Sequence, residues 1–199
     1  MKTIVLATNN QNKLREIKRI FINHDVEIKS LKEVGYFEEI IEDGLTFEDN
    51  AIIKARQVAK ALNLITISDD SGLEVEALNN EPGVYSARYA GEQHNDDDNN
   101  ALLLKNLVNV ENRKARYVCC ICVYNPNDEY RTVIGTCDGL IIDDARGKNG
   151  FGYDPYFFVP EFNQTFAEVS LDKKNTISHR ARALRLMEEL INEDFSFKR

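Results

Sequence analysis

Segments with strand and helix patterns alternate along the first third of the chain, and this alternation limits the possible folds more than any other feature. Apolar strand patterns cover residues 2–7, 26–30 and 64–68, whereas apolar side chains recur at helical spacing over 12–21 and 46–62. Such alternation is typical of parallel strands covered by helices. It predicts the parallel part of an α/β sheet.

The rest of the chain follows a different pattern. Two strand patterns, 116–124 and 131–136, are separated by the turn-forming residues Asn125–Asp128, which predicts a hairpin. One helix is expected over 101–108. The whole pattern predicts an α/β fold with a mixed β-sheet flanked by helices. A final helix is expected near the C-terminus, where one face carries Ala183, Leu184, Met187, Leu190 and Ile191.

Charge and hydrophobicity limit the partners. The 199 residues carry a formal net charge of −8, which argues against a nucleic-acid polymer because phosphate-backbone binding requires a basic surface. No apolar run approaches the roughly 18–20 residues of a membrane span, and the N-terminal pattern is that of a first strand. We therefore expect a cytoplasmic protein with no membrane partner, whose ligand can still be a small phosphorylated molecule.

The cysteines suggest buried thiols and not a metal or redox site. Cys119 and Cys122 have CxxC spacing, but they fall in a predicted strand, where side chains three positions apart point to opposite faces. We therefore expect free, buried cysteines in a reducing compartment.

A polar segment connects the first strand to the first helix, where open α/β sheets usually bind ligands. A helix N-terminus offers N–H groups and partial positive charge to an anion, and Lys13 adds a full charge. The alternative is a plain capped turn with Lys13 in solvent. We name this the phosphate segment; it contains Thr8, Asn9, Asn10, Gln11, Asn12 and Lys13.

Two adjacent carboxylates, Asp69 and Asp70, follow the third strand in the sequence Asp-Asp-Ser-Gly, which is typical of a turn. Adjacent side chains there point in different directions, so one carboxylate can reach a ligand. Carboxylates bind Mg²⁺, and a triphosphate needs such a cation to neutralise its charge. The alternative is a turn whose aspartates bond to their own backbone.

More charged residues lie upstream of this pair. Glu42 is another candidate carboxylate, whereas Thr46 and Asp49 have the spacing of a capping box, which favours a structural role for Asp49. Lys54 lies two turns into the same helix, as either a solvent-exposed lysine or a phosphate ligand.

A glycine- and aromatic-rich segment indicates a nucleobase site. Its glycines let the backbone approach a ligand, and its aromatic rings can stack on a base; the alternative is a loop with its rings in the core. His179 and Arg180 lie in the first turn of the last helix. Positive side chains there oppose the helix dipole, which suggests an anionic or carbonyl partner. The candidate base-site residues are Phe151, Gly152, Tyr153, Asp154, Lys174, His179 and Arg180.

Six segments together resemble the inosine triphosphate pyrophosphatase family, in particular its bacterial branch. The resemblance implies a single domain over residues 1–199, with an elongated mixed sheet, two lobes and a central cleft, and usually a homodimer. It implies Mg²⁺-dependent hydrolysis of ITP, dITP or XTP to the monophosphate and pyrophosphate. The segments are Thr8–Lys13, Thr46–Ala51, Asp69–Leu73, Pro82–Tyr89, Gly150–Pro155 and Ser178–Arg180.

The same resemblance implies roles for individual residues. The phosphate segment and Lys54 would contact the phosphates, and Ser71 would touch the substrate. Asp70 would be a metal-linked general base, with Asp69 as the alternative proton acceptor. The base-site residues would enclose the purine, where donors that match the C6 carbonyl of hypoxanthine or xanthine would disfavour adenine.

One departure from the family concerns the metal. A carboxylate that the family uses for Mg²⁺ often aligns with Ile41, which cannot bind a cation, so Glu42 is expected to replace it. Two other functions stay open: a phosphatase or pyrophosphatase acting on modified pyrimidine nucleotides, and a nucleotide sensor without turnover.

Overall fold

The computed structural model describes residues 2–20, 26–91 and 95–193. Its strands are β1 (Lys2–Leu6), β2 (Val26–Ser30), β3 (Thr66–Val75), β4 (Lys114–Tyr124), β5 (Tyr130–Ile141), β6 (Phe157–Val159) and β7 (Gln164–Thr165). Its α-helices are α1 (Gln11–Ile20), α2 (Phe47–Leu62), α3 (Asp96–Asn106), α4 (Leu171–Ile177) and α5 (His179–Glu193). The strands form one mixed sheet in the order β2-β1-β3-β4-β5-β6-β7.

Two compact units divide the chain. Unit 1 contains Met1–Asp70, Cys119–Gly135 and Arg180–Arg199, and unit 2 contains Ser71–Val118 and Thr136–His179. Strands β3, β4 and β5 therefore contribute residues to both units. Each unit has an apolar core of its own.

In unit 1, helices pack against both faces of the parallel strands. Strand β1 pairs in parallel with β2 and with β3. Because side chains alternate along a strand, Ile4 and Leu6 share one core with apolar residues of α1 and α5, whereas Val5 packs in a second core with Val58 of α2. The predicted parallel region and its helices are thus confirmed.

In unit 2, the sheet continues with antiparallel pairs, β5 with β6 and β6 with β7. The core contains Leu73 of β3, Leu103 of α3 and a group of aromatic rings. The ring centroids of Tyr117 and Phe157 lie 4.6 Å apart, and those of Phe157 and Phe166 lie 5.2 Å apart. Two candidate base-site residues contact these rings, since His179 stacks on Tyr117 and the Lys174 ammonium lies over Phe166.

Most predicted elements are confirmed, but three differ from their predicted bounds by several residues. Helix α3 covers Asp96–Asn106 and not 101–108, β5 continues to Ile141 and not only to 136, and β3 continues past its predicted end. The sequence predicted that the third strand ends at residue 68 in a turn, but β3 continues through Asp69 and Asp70 to Val75. The strand can continue because both carboxylates are paired with positive side chains, so neither needs a solvent-exposed turn. The short strands β6 and β7 and helix α4 were not predicted. Phe21 and the side chain of Ile191, both assigned to helices from the sequence, lie outside the described residues.

Two further expectations can be compared with the structure. The cysteines are free and buried, as predicted. In the described part of the chain, no helix is both long enough and apolar enough to span a membrane.

The capping prediction for α2 is confirmed. Thr46 Oγ1 accepts a hydrogen bond from the Asp49 backbone N–H at 3.0 Å and donates to Asp49 Oδ2 at 2.8 Å. We expect Thr46→Ala to lower the free energy of unfolding by about 1 kcal/mol, because the first turn loses its cap. Urea denaturation measures this, and Thr46→Ser, which keeps the hydroxyl, is the control; equal losses in both variants would contradict the assignment.

Candidate active site

Asp69 and Asp70 occupy adjacent positions of β3 and therefore point to opposite faces of the sheet. Asp69 is 1% exposed and is surrounded by donors from three other elements. Its carboxylate forms ion pairs with Lys13 of α1 and with Arg180 of α5, and it accepts a hydrogen bond from the Cys119 thiol at 2.9 Å. Asp69 is therefore a buried anion whose carboxylate is bound by three side chains.

The pKa values around Asp69 agree with this geometry. Burial raises the pKa of the Asp69 carboxyl, but the charges of Arg180 and Lys13 outweigh burial and hold the pKa well below its usual value. Burial, together with the nearby carboxylate, raises the pKa of the Cys119 thiol well above normal. The thiol therefore stays protonated and acts as a hydrogen-bond donor.

Asp70 lies in a second charge cluster on the other face. The Lys54 ammonium lies 2.7 Å from Asp70 Oδ1 and 2.6 Å from Glu42 Oε2, so both carboxylates converge on one position. Asn50 donates to Asp70 Oδ2 at 3.4 Å and accepts from the Gly44 N–H at 2.8 Å. Asn50 thereby links the backbone two residues after Glu42 with the Asp70 carboxylate.

The pKa values of the residues in this cluster are shifted in different directions. Burial raises the pKa of Asp70 above its usual value, and the attraction of Lys54 only partly opposes that shift. Burial also acts to raise the pKa of Glu42, but Lys54 outweighs it and the pKa is lowered. Burial lowers the pKa of Lys54, and the two carboxylates more than offset it, so the lysine stays charged.

The chemistry of the donors suits a hard divalent cation. Among the described residues, no group of three or more His, Cys, Asp or Glu side chains could hold a metal ion by itself. Mg²⁺, however, commonly uses only one or two carboxylates and completes its coordination with substrate phosphates and water. The two converging oxygens of Asp70 and Glu42 fit that pattern, whereas Ile41 is 67% exposed and brings no ligand atom.

The phosphate segment forms a capped turn with a charged end. Asn10 Oδ1 accepts from the backbone N–H groups of Asn12 and Lys13, at 2.9 and 3.2 Å, and Asn10 N–H donates to Thr8 Oγ1 at 3.1 Å. Lys13 is not in solvent, because its ammonium pairs with Asp69. Asn9, Asn10 and Gln11 are exposed.

The base-site residues of unit 2 gather around the Asp154 carboxylate. Lys174 Nζ lies 2.7 Å from Asp154 Oδ2, and the same oxygen accepts from the Phe151 N–H at 3.1 Å. The Lys174 ammonium also lies over the Phe151 and Phe166 rings, at 5.3 and 5.2 Å from their centroids. Burial and the Asp154 charge raise the pKa of Tyr117 well above normal, so its hydroxyl stays a donor to that carboxylate.

The remaining predicted residues are buried or half-buried. His179 is buried and stacks on Tyr117, with ring centroids 4.7 Å apart. Tyr153 is also buried, and its hydroxyl donates to the Ser86 carbonyl at 2.8 Å. Arg180 pairs with Asp69 and Glu16 in unit 1, and its contact with a purine stays a prediction. Ser71 is half-buried on β3, on the unit 2 side of the boundary.

Two partners of the candidate site residues were not predicted from the sequence. The structure adds Glu16 as a partner of Arg180 and Asn50 as a partner of Asp70. Asn50 lies inside one of the six family segments, so its presence there was a signal. Glu16 gave no such signal, since it looks like an ordinary polar position of a helix.

Comparison with known proteins decides the family. The model of the Ham1 family matches residues 4–190, across both units. The chain belongs to the Ham1 family. The assignment confirms the family resemblance that the sequence segments suggested.

Ham1-family relatives match over nearly the full chain. A dITP/XTP pyrophosphatase of Bacillus anthracis is 51% identical over 98% of each chain. A protein of the same name from Staphylococcus epidermidis is 53% identical, over 96% of this chain and 97% of that protein. The solved Ham1 protein of Staphylococcus aureus is 46% identical with a TM-score of 0.88, over 96% of this chain and 99% of that one.

The buried pair of Glu16 and Arg180 allows a test of stability. Glu16 is 5% exposed, and Glu16→Ala removes one carboxylate from a guanidinium that is 2% exposed. We expect the free energy of unfolding to fall by about 3–5 kcal/mol, as for other broken buried pairs. Glu27→Ala is the matched control, because Glu27 forms an exposed pair with Lys29, and it should cost less than about 1 kcal/mol. Similar small losses in both variants would show that the buried pair carries no stability.

Proposed function

We propose that this chain hydrolyses non-standard purine nucleoside triphosphates, such as ITP, dITP and XTP, to the monophosphate and pyrophosphate. Membership of the Ham1 family and about 50% identity to dITP/XTP pyrophosphatases along nearly the whole chain support it. The observation that carries it to the residue level is the convergence of Asp70 and Glu42 on the Lys54 ammonium. That cluster has the charges needed to bind a cation and a polyphosphate together.

We propose that Mg²⁺ is held by Asp70 and Glu42. When bound, the ion would neutralise phosphate charge and lower the pKa of a water molecule. Lys54 contacts both carboxylates, so it would add a positive charge for phosphate groups bound at this cluster.

Asp70 is the better proton acceptor of the adjacent pair. Asp69 is occupied by Lys13, Arg180 and the Cys119 thiol, and releasing it would leave buried positive charges without a partner. Asp70 is 7% exposed and has fewer partners. We therefore assign the removal of a proton from the attacking water to Asp70, and we assign Asp69 the placement of Lys13.

The phosphate segment would bind the leaving pyrophosphate. Asn10 uses its side-chain oxygen for the helix cap, which leaves the Asn10 amide nitrogen without a partner among the described residues and able to donate to a phosphate. Lys13, Lys54 and the exposed polar side chains supply further donors. A positioned donor of this kind typically stabilises a transition state by about 2.7–4 kcal/mol.

Unit 2 would hold the base. The Phe151 ring and the Lys174 ammonium lie together, and a ring with an adjacent cation suits a flat base with a carbonyl oxygen. Adenine has an amino group where hypoxanthine has that carbonyl, so a donor at this position would be left unpaired by adenine. We propose this as the source of selectivity for ITP and XTP over ATP.

Because the family match includes residues of both units, we propose that the whole chain acts as a single functional domain. We also propose that it acts as a homodimer, which sedimentation equilibrium can test directly.

Product analysis tests the activity. With Mg²⁺, we expect dITP and XTP to yield pyrophosphate, with far slower turnover of dATP and dGTP, and chelation of the metal should abolish product. A phosphatase would instead release inorganic phosphate, a pyrimidine enzyme would prefer modified pyrimidine triphosphates, and a sensor would bind ITP without any product. Each of these three results contradicts the proposal in a distinguishable way.

The role of Asp70 is tested by Asp70→Asn. We expect kcat to fall by about 10²–10⁴-fold, the usual contribution of a positioned general base. Glu111→Gln is the control, since Glu111 is exposed and far in sequence from the proposed catalytic residues. Circular dichroism establishes that both variants are folded, and full activity of folded Asp70→Asn would remove the assigned base.

A further inference from the structure

Two side chains on one helix face form hydrogen bonds with the backbone of Gly152, one with its N–H and one with its carbonyl. Asp96 Oδ2 accepts from the Gly152 N–H at 2.7 Å, and Asn100 Nδ2 donates to the Gly152 carbonyl at 3.0 Å. Asp96 and Asn100 are four residues apart on α3 and therefore lie on the same face. The two side chains form a clamp on the backbone of the base-site loop; we call them the α3 clamp.

The clamped residue needs such support. Gly152 has a φ of +60°, a left-handed conformation that glycine adopts freely and leaves as freely. Its neighbours are Phe151, whose ring lies beside Lys174, and Tyr153, which is anchored in the core by Ser86. Asp154 holds the N–H and the carbonyl of Phe151, at 3.1 and 3.2 Å, whereas the α3 clamp holds the N–H and the carbonyl of the glycine that follows.

Asn100 is built into the loop and is not a surface residue. It is 6% exposed, and its amide nitrogen also donates to the Asp96 carbonyl at 2.8 Å, so its two acceptors fix the amide orientation. Its oxygen is buried without a hydrogen-bond partner in the described ranges. An unsatisfied buried oxygen is unfavourable, so this orientation persists because the two carbonyl contacts hold it.

We propose that Asp96 and Asn100 are positioning residues for purine binding, which rests on the proposed function of unit 2 as the base site. The clamp would fix Gly152 and thereby hold Phe151 in the orientation that stacks on the base. Neither residue takes part in phosphate chemistry, because both act through the loop. Their loss should therefore weaken nucleotide binding and leave the chemical step unchanged.

The sharpest test uses Asp96, which is exposed and can be changed without opening the core. Asp96→Ala removes the acceptor, whereas Asp96→Asn keeps an oxygen for the Gly152 N–H. Asp97→Ala is the matched control, since it removes the same charge from the same helical turn, whereas the Gly152 N–H donates to Asp96. We expect Asp96→Ala to raise the KM for ITP about tenfold with kcat changed less than about twofold, as one charge-assisted hydrogen bond allows.

The other outcomes decide the proposal. Asp96→Asn should restore most of the wild-type KM, and Asp97→Ala should match the wild type. An unchanged KM in Asp96→Ala, a fall in kcat alone, or the same rise in KM in Asp97→Ala would overturn the positioning role.

Hydrogen exchange of the Gly152 amide gives a readout that needs no turnover. We expect this amide to lose protection in Asp96→Ala and to keep it in Asp97→Ala, even in nucleotide-free protein. If wild-type protein released no pyrophosphate from ITP, the proposed function would fail while the exchange result would still judge the clamp. Unchanged protection in Asp96→Ala would refute the clamp whatever the activity.

Discussion

The pairing of two adjacent buried carboxylates with positive side chains is the interaction on which unit 1 depends. Burying an unpaired carboxylate costs several kcal/mol, and β3 buries Asp69 and Asp70 in succession. The compensating charges come from α1, α2 and α5, as Lys13, Lys54 and Arg180. The helices are thus held on β3 by charge as well as by apolar packing, and the candidate catalytic groups are the same groups that hold them.

The two aspartates show how environment separates identical side chains. Asp69 faces a guanidinium, an ammonium and a thiol, and its pKa is held well below normal. Asp70 faces one ammonium and one amide, and burial raises its pKa. A fully paired carboxylate holds its neighbours in place. A carboxylate with fewer partners can exchange them for a ligand or a proton. The sequence Asp-Asp alone could not assign these roles.

The sequence predicted what depends on local order and missed what depends on distant partners. The strands and helices of unit 1, the Thr46 cap and the family follow from periodicity, capping residues and short motifs. The end of the third strand was misplaced because an Asp-Asp-Ser-Gly segment forms a turn unless distant charges neutralise it, and those charges lie on three other elements. Glu16, Asp96 and Asn100 were missed for the same reason, since each acts on a residue more than fifty positions away.

In unit 2, a buried carboxylate likewise explains the residues of the glycine-rich segment. Asp154 is buried and accepts from the Phe151 N–H and the Lys174 ammonium, so one carboxylate fixes the loop, the aromatic ring and the cation together. Gly150 has positive φ, and a Cβ there would collide with the Asp154 carboxylate. Any side chain at Gly150 would therefore displace the acceptor on which the other two contacts depend. The spacing from Gly150 to Asp154 is thus a steric requirement of a buried lysine–aspartate pair, and it exists whether or not a base is bound.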